Sequence, residues 1–167
     1  MSEEKYKNMF EAVLAEGEKL ALPREIQKHL AEVLLYEYPG ADALHPAARP
    51  LMSALVAKSR EYGTPVYVTS VFRSAEAQKN LYARGRSSAG AKVTNAAALE
   101  SYHNYGLAFD VAFEGGLPYP EDDEYWDRIG EYGESLGLVW GGRFNDRPHF
   151  EYHPGFTWEN LKPHFVV

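Results

Sequence analysis

Hydrophobic positions recur at helical spacing through the first third of the chain. Met9, Val13 and Leu20 mark a polar first segment. Ile26, Leu30, Val33 and Leu34 then fall at i, i+4, i+7 and i+8 behind Pro23, which suits the first helical position, and Pro39-Gly40 stops the helix. A second amphipathic helix is predicted from about Pro46 to Tyr62, with Leu51, Leu55 and Val56 inward and Gly63 as its stop. Beyond it the apolar period drops from ~3.6 to ~2. Val66 to Val71 is β-branched and aromatic and reads as a short buried strand. Ser74 caps a helix from about Ala75 to Ala83, and the small, polar residues 85–98 read as a surface loop. Leu107 to Phe113 alternates as a strand, and Gly115-Gly116 with two prolines turns the chain. A helix over 122–136 carries Trp126, Ile129 and Tyr132 on one side, with Asp122 or Asp123 as its cap and Gly137 at its end. Val139-Trp140 and Phe150 to Tyr152 read as short strands. Helices first, then a small, mostly antiparallel sheet with flanking helices, is the α+β class.

The chain has 167 residues, enough for one compact domain and a small addition. At 45% hydrophobic and 25% charged it is not a wholly disordered chain. Lys and Arg number 17 against 24 Asp and Glu, a net charge of −7, which argues against nucleic acid or an anionic membrane as the main partner. No run of ~18 apolar residues is present, so no membrane insertion is expected. Cysteine is absent, which excludes disulfide scaffolds, thiolate metal sites and cysteine nucleophiles. Any metal must be held by His, Asp or Glu. The charged start, MSEEKYKNMF, lacks the apolar core of a secretory signal. The protein is expected to work inside, to leave by another route, or to have lost a leader.

Two polar constellations carry the chemistry. In Ser101-Tyr102-His103-Asn104-Tyr105-Gly106-Leu107-Ala108-Phe109-Asp110, Gly106 permits a sharp turn before the strand. Leu107, Phe109, Val111 and Phe113 form an apolar face, and Ala108, Asp110 and Ala112 form the other. A carboxylate flanked by alanines has open space for a metal or a substrate; it is equally readable as a hydrogen-bonded strand carboxylate, with His103 a loop histidine. The second constellation runs from Asn145 to His153. Pro148 forbids a continuous helix, so Asp146 and His149 stand at a loop end and a strand start. His149, Glu151 and His153 then share one face, opposite Phe150 and Tyr152; the alternative is a solvated polar edge strand. Two histidines and an aspartate could give three zinc ligands, leaving one position for water. A second carboxylate, Asp146 or Glu151, is needed to take a proton from that water.

The segment S-x-H-x-x-G-x-A-x-D followed by D-x-x-H resembles the zinc peptidases of the VanY and D-Ala-D-Ala carboxypeptidase family, and most of all its L-alanyl-D-glutamate endopeptidase branch, found in phage endolysins and bacillus cell-wall hydrolases. Leu44-His45-Pro46, Ser70-Val71-Phe72-Arg73-Ser74, Gln78 with Leu81-Tyr82-Ala83 and Gly85-Arg86, Val93-Thr94-Asn95-Ala96 and Trp140-Gly141-Gly142 all stand in the family's order. The likeness covers residues from about 42 to 153. It implies a hedgehog/DD-peptidase-like catalytic domain over 42–167 behind a helical extension over 1–41. It implies zinc ligation by His103, Asp110 and His149, with Asp146 as catalytic acid/base and Arg73 as the stabiliser of the oxyanion. Ser101 and Gln78 match positions that line the substrate cleft. Most carboxypeptidase relatives carry Glu where Asp146 stands, which favours the endopeptidase branch. One departure is Leu99-Glu100, where relatives often have a small residue such as Gly.

The function so implied is zinc-dependent hydrolysis of the L-Ala-D-Glu bond in the peptidoglycan stem peptide, by a monomer acting on the cell wall, as a released phage-type lysin or as a protein whose leader was removed. The alternative in the same family is a D-alanyl-D-alanine carboxypeptidase. A non-catalytic wall-binding module is disfavoured, because His103, Asp110, Asp146, His149 and Arg73 are all present. The other candidates have plainer readings. His29 lies on a helix surface, His45 fixes a helix start, and His164 sits in the tail. Trp126 and Trp140 belong to the core, whereas Tyr102 and Tyr105 flank a ligand. Glu151 and His153 either orient His149 or face solvent. Arg84, Arg86 and Lys92 form a solvated loop or meet the acidic stem peptide.

Overall fold

The computed structural model describes Arg24 and residues 44–45, 47–121, 123–155 and 157–164. The helices expected before residue 41, with His29, and the cap at Asp122 lie outside these residues. In chain order the elements are α1 (Ala48–Glu61), β1 (Val66–Ser70), α2 (Ala75–Ala83), β2 (Ala108–Phe113), α3 (Asp123–Ser135), β3 (Val139–Trp140), β4 (His149–Glu151) and α4 (Trp158–Leu161). Tight 3-10 turns occupy Tyr102–Tyr105, Gly141–Phe144 and Lys162–His164. The α+β class expected from the sequence is the one observed. Two compact units are distinguished. One holds Leu44–Val71 and Leu107–His153; the other holds Phe72–Gly106 and the described part of Pro154–Val167.

The first unit carries the sheet. Its strands run β1-β2-β4-β3, each antiparallel to its neighbour. β2 is central and buried on both faces, as its near-continuous apolar sequence requires. Phe109 stacks on its cross-strand partner Phe150 with ring centroids 5.5 Å apart. Phe113 meets the Trp126 ring of α3 edge-on at 4.7 Å. Leu55 of α1 and Ile129 of α3 join the same core. The same register sets Asp110 opposite His149. Directly opposed residues hold their Cβ atoms roughly 5 Å apart, so two polar groups separated by most of the sheet-forming sequence share one face. β4 begins at His149, one residue earlier than the apolar pattern suggests, because His149 itself pairs with β2.

α1 starts at Ala48, and His45 fixes that start. Its carbonyl accepts from the Ala48 and Arg49 amides at 2.8 and 3.2 Å, and its Nδ1 accepts from the Ala47 N–H at 3.1 Å. The imidazole is buried and stacks on Tyr152 at 5.5 Å. Burial, helped by the Arg49 charge, lowers its pKa to about 4.

In the second unit Ser74 caps α2 as expected, its hydroxyl accepting from the Ala77 N–H at 3.1 Å. The loop that follows is largely exposed, and Arg86 braces it. The guanidinium donates to the carbonyls of Tyr82 (2.7 Å) and Thr94 (2.9 Å) and lies 3.9 Å from the Tyr82 ring centroid. Near the chain's end Lys162 pairs with Glu100 at 2.6 Å.

Candidate metal centre

On the polar face of β2 and β4 the Asp110 Oδ1 lies 2.9 Å from His149 Nδ1. The other ring nitrogen, His149 Nε2, lies 3.0 Å from Glu151 Oε1, and Glu151 Oε2 lies 2.6 Å from His153 Nε2. Alternation along β4 puts these three side chains on one face while Phe150 enters the core. The Glu151 carboxyl is nearly buried. Burial opposes its charge, but the hydrogen bonds from His149 and His153 outweigh it and hold its pKa below the usual carboxylate value. A carboxylate only accepts, so facing two carboxylates each ring nitrogen of His149 donates, Nε2 to Glu151 and Nδ1 to Asp110. Burial likewise opposes charge on His149, and the hydrogen bonds and charges of Asp110 and Glu151 outweigh it, carrying its pKa up to about 9.

His103 sits in the 3-10 turn Tyr102–Tyr105. Ser101 caps this turn, its Oγ accepting from the His103 N–H at 3.3 Å, and Gly106 ends it at φ +63°, a conformation in which a Cβ would be strained. The turn is stapled to Arg73. The Arg73 N–H donates to the His103 carbonyl at 3.0 Å, and Asn104 Nδ2 donates to the Arg73 carbonyl at 2.7 Å. Tyr105 reaches back to the Leu99 carbonyl at 2.8 Å. Leu99 itself adopts φ +64°, the left-handed conformation that glycine takes most easily, at the point where this chain carries Leu-Glu.

One ligand atom from each of His103, Asp110 and His149 lies within 4.8 Å of the others. Two ligands about 2.0 Å from one tetrahedral zinc ion are about 3.3 Å apart. The 2.9 Å between His149 Nδ1 and Asp110 Oδ1 is close to that edge. Two imidazoles and a carboxylate are a donor set zinc favours, and a cation bound by His149 Nδ1 and Asp110 would displace the proton of the hydrogen bond between them. The residues present fit the ion.

Arg73 and Asp146 are held by other means. Arg73 Nη1 donates to Gln78 Oε1 at 2.9 Å. Gln78, expected along the cleft, is fully buried and donates its amide to the Ala96 carbonyl at 2.8 Å. Asp146 is exposed in the turn before β4. Its N–H donates to the Gly141 carbonyl at 2.8 Å, and its own carbonyl accepts from the His149 N–H at 3.1 Å. Asn145 reaches φ +70° to make that turn.

A family model described as D-alanyl-D-alanine carboxypeptidase matches residues 94–152, the stretch that contains His103, Asp110, Asp146 and His149. The peptidoglycan L-alanyl-D-glutamate endopeptidase CwlK of Bacillus subtilis (strain 168) is 38% identical over 135 residues, covering 72% of this chain and 80% of CwlK. The chain belongs to the VanY-like D-alanyl-D-alanine carboxypeptidase family of peptidases. Among solved members of similar structure, the L,D-carboxypeptidase DacB from Streptococcus pneumonia is 25% identical, with a TM-score of 0.52 over 72% of this chain and 71% of that one. The vancomycin-resistance D,D-pentapeptidase VanY, solved in complex with Zn(II), shares the fold at 17% identity, with a TM-score of 0.51 over 77% of this chain and 83% of its own.

Within this VanY-like chain, the structure adds two residues that sequence reasoning passed over or left open. Asn104, adjacent to His103, ties the turn to Arg73, and nothing in composition or spacing marks it out. Glu151 was readable as solvated or as a partner of His149, and its hydrogen bonds select the second. Among the described residues no helix is long and apolar enough to cross a membrane.

Proposed function

We propose that this chain is a zinc-dependent peptidoglycan endopeptidase that hydrolyses the L-Ala-D-Glu bond of the stem peptide, acting as a monomer on the cell wall. The observation that carries this reading is the 38% identity to an L-alanyl-D-glutamate endopeptidase across 80% of that enzyme. The convergence of His103, Asp110 and His149 supports it. These three residues hold the ion, which when bound supplies a Lewis acid and acidifies a water near neutral pH. Asp146 takes the proton as water adds to the carbonyl carbon and returns it to the leaving amine as the C–N bond breaks. Arg73 offers a permanent positive charge to the developing oxyanion. Gln78 acts through Arg73 by fixing the guanidinium, and Ser101 acts through the turn that carries His103.

Mass spectrometry of a defined muropeptide incubated with the zinc-loaded protein tests the proposal. Cleavage leaves L-Ala on the glycan side and releases a peptide that begins with D-Glu. Loss of a single terminal D-Ala would instead support the carboxypeptidase reading, which the description of the matching family model favours. Asp146→Asn is expected to keep its zinc and to lose at least ~10²-fold in turnover. An undigested muropeptide with zinc bound would overturn both readings.

A further inference from the structure

We infer that Glu151 is the positioning residue that selects the metal-binding nitrogen of His149, and that His153 in turn fixes Glu151. The inference rests on the proposed metal site and names residues outside its ligand set. Both Glu151 oxygens are engaged, Oε1 with His149 Nε2 at 3.0 Å and Oε2 with His153 Nε2 at 2.6 Å. The Glu151 side chain is 12% exposed and that of His149 9%, so the hydrogen bond between them does not compete freely with water, whereas His153, at 34%, stands nearer the solvent. Glu151 does not belong to the group His103, Asp110 and His149 that surrounds the cation position. Asp110 cannot replace it, because Asp110 faces the opposite ring nitrogen at 2.9 Å.

The physical need is specific. A neutral imidazole has one protonated nitrogen and one lone pair, and a cation can use only the second. Both ring nitrogens face carboxylates, but a cation would engage Asp110 and leave Glu151 free to accept; the proton that remains then stays on Nε2, and the lone pair of Nδ1 points to the metal side. A carboxylate in that place also raises the basicity of Nδ1. Without it the two tautomers compete, and the ring is free to turn about χ2. His153 then has a role of its own. It occupies the second oxygen of Glu151, so the carboxylate cannot swing away to water. The strand supplies the spacing, since alternate residues from position 149 onward share one face, and the Tyr152 N–H bonded to the Leu107 carbonyl at 2.8 Å keeps that alternation beyond the end of β4.

Zinc affinity, measured by competition with a chromophoric chelator, tests the role apart from activity. Glu151→Ala is expected to weaken zinc binding about 10–100-fold, the usual scale for loss of an outer partner of a histidine ligand. Glu151→Gln, whose side-chain oxygen still accepts from Nε2–H, is expected to lose clearly less. His153→Ala should lie between wild type and Glu151→Ala. In the zinc-loaded wild type, long-range 1H–15N spectra of His149 should show Nε2 protonated and Nδ1 metal-bound, a readout that needs no variant to fold. An Ala variant with wild-type affinity, a Gln variant as weak as Ala, or the reversed nitrogen pattern would overturn the inference. The metal site itself fails on a different result: zinc affinity unchanged in His149→Ala.

Discussion

A single methyl group at Gly141 should separate positioning from stability. Gly141 lies under the turn that leads to Asp146 and His149. A Cβ there would sit 2.8 Å from His149 Cβ and 3.0 Å from the His149 carbonyl oxygen, and nearer still to the Asp146 carbonyl oxygen. That last oxygen already accepts the His149 N–H, so it cannot retreat without loosening the start of β4. Relief requires a shift of roughly 0.5–1 Å in both residues, and overpacking on this scale costs about 1–3 kcal/mol. For a chain of this size the melting temperature falls by about 2–4 °C per kcal/mol. Misplacement of a reacting group by ~1 Å costs as much as ~10²-fold in rate. Gly141→Ala is therefore expected to melt a few degrees lower and to lose ~10–10²-fold in kcat. Gly63→Ala is the control. Gly63 has φ +72° with nothing within 4 Å of a Cβ, so the strain there is about 1–2 kcal/mol and stays local to the end of α1. Thermal melts by circular dichroism and muropeptide turnover well below both melting points compare the two. If Gly141→Ala turned over as fast as Gly63→Ala, the turn would not be what sets Asp146 and His149 in place.

Two further outcomes follow from the other described contacts. His45 stays neutral in the folded protein down to about pH 4, whereas the unfolded chain takes up its proton below about 6.5. Its contribution is therefore fully present above pH 6.5 and is lost as pH falls toward 4, by up to about 3 kcal/mol. His45→Asn, which keeps an acceptor for the Ala47 N–H but cannot titrate, should flatten the fall of melting temperature across that window; an unchanged slope would refute the assignment. Arg73→Ala should lower kcat by ~10²–10³-fold with zinc content intact, and Gln78→Leu by a smaller factor in the same direction, both read by steady-state kinetics on a muropeptide. Wild-type kcat in Gln78→Leu would show that the guanidinium needs no buried partner.

Much of the described fold was legible because local chemistry and tertiary contacts agree. Ser74 and the helix over Ala75–Ala83 need only a hydroxyl beside free amides, and the alternation through Phe113 needs only two faces of unlike polarity. The three candidate ligands were marked out by resemblance, and the approach of two of them follows from register, since Asp110 and His149 are cross-strand partners. Period-two spacing put Glu151 and His153 on the face of His149 but could not say whether that face was covered, so two readings stayed open. Gln78 was marked by resemblance as a cleft residue, but its burial and its bond to Arg73 were not legible. A glutamine on a short, polar helix looks exposed, and only the return of the chain through Thr94 to Ala96 buries it. Asn104 works through a backbone carbonyl, which leaves no trace in side-chain pattern.

The two bonds between the Arg73 backbone and residues 103–104, one from the Arg73 N–H to the His103 carbonyl and one from the Asn104 side chain, make the intervening polypeptide an excursion clipped at its neck. Closing a longer excursion costs only about 0.6 kcal/mol for each doubling of its length. Insertions or deletions between Arg86 and Thr94 would thus reach the His103 turn through that neck, and the guanidinium through Gln78, which bonds the returning chain at Thr94 and Ala96. Such a layout lets the exposed tip of the excursion change length while its two ends stay anchored, provided the return through Thr94 and Ala96 is kept.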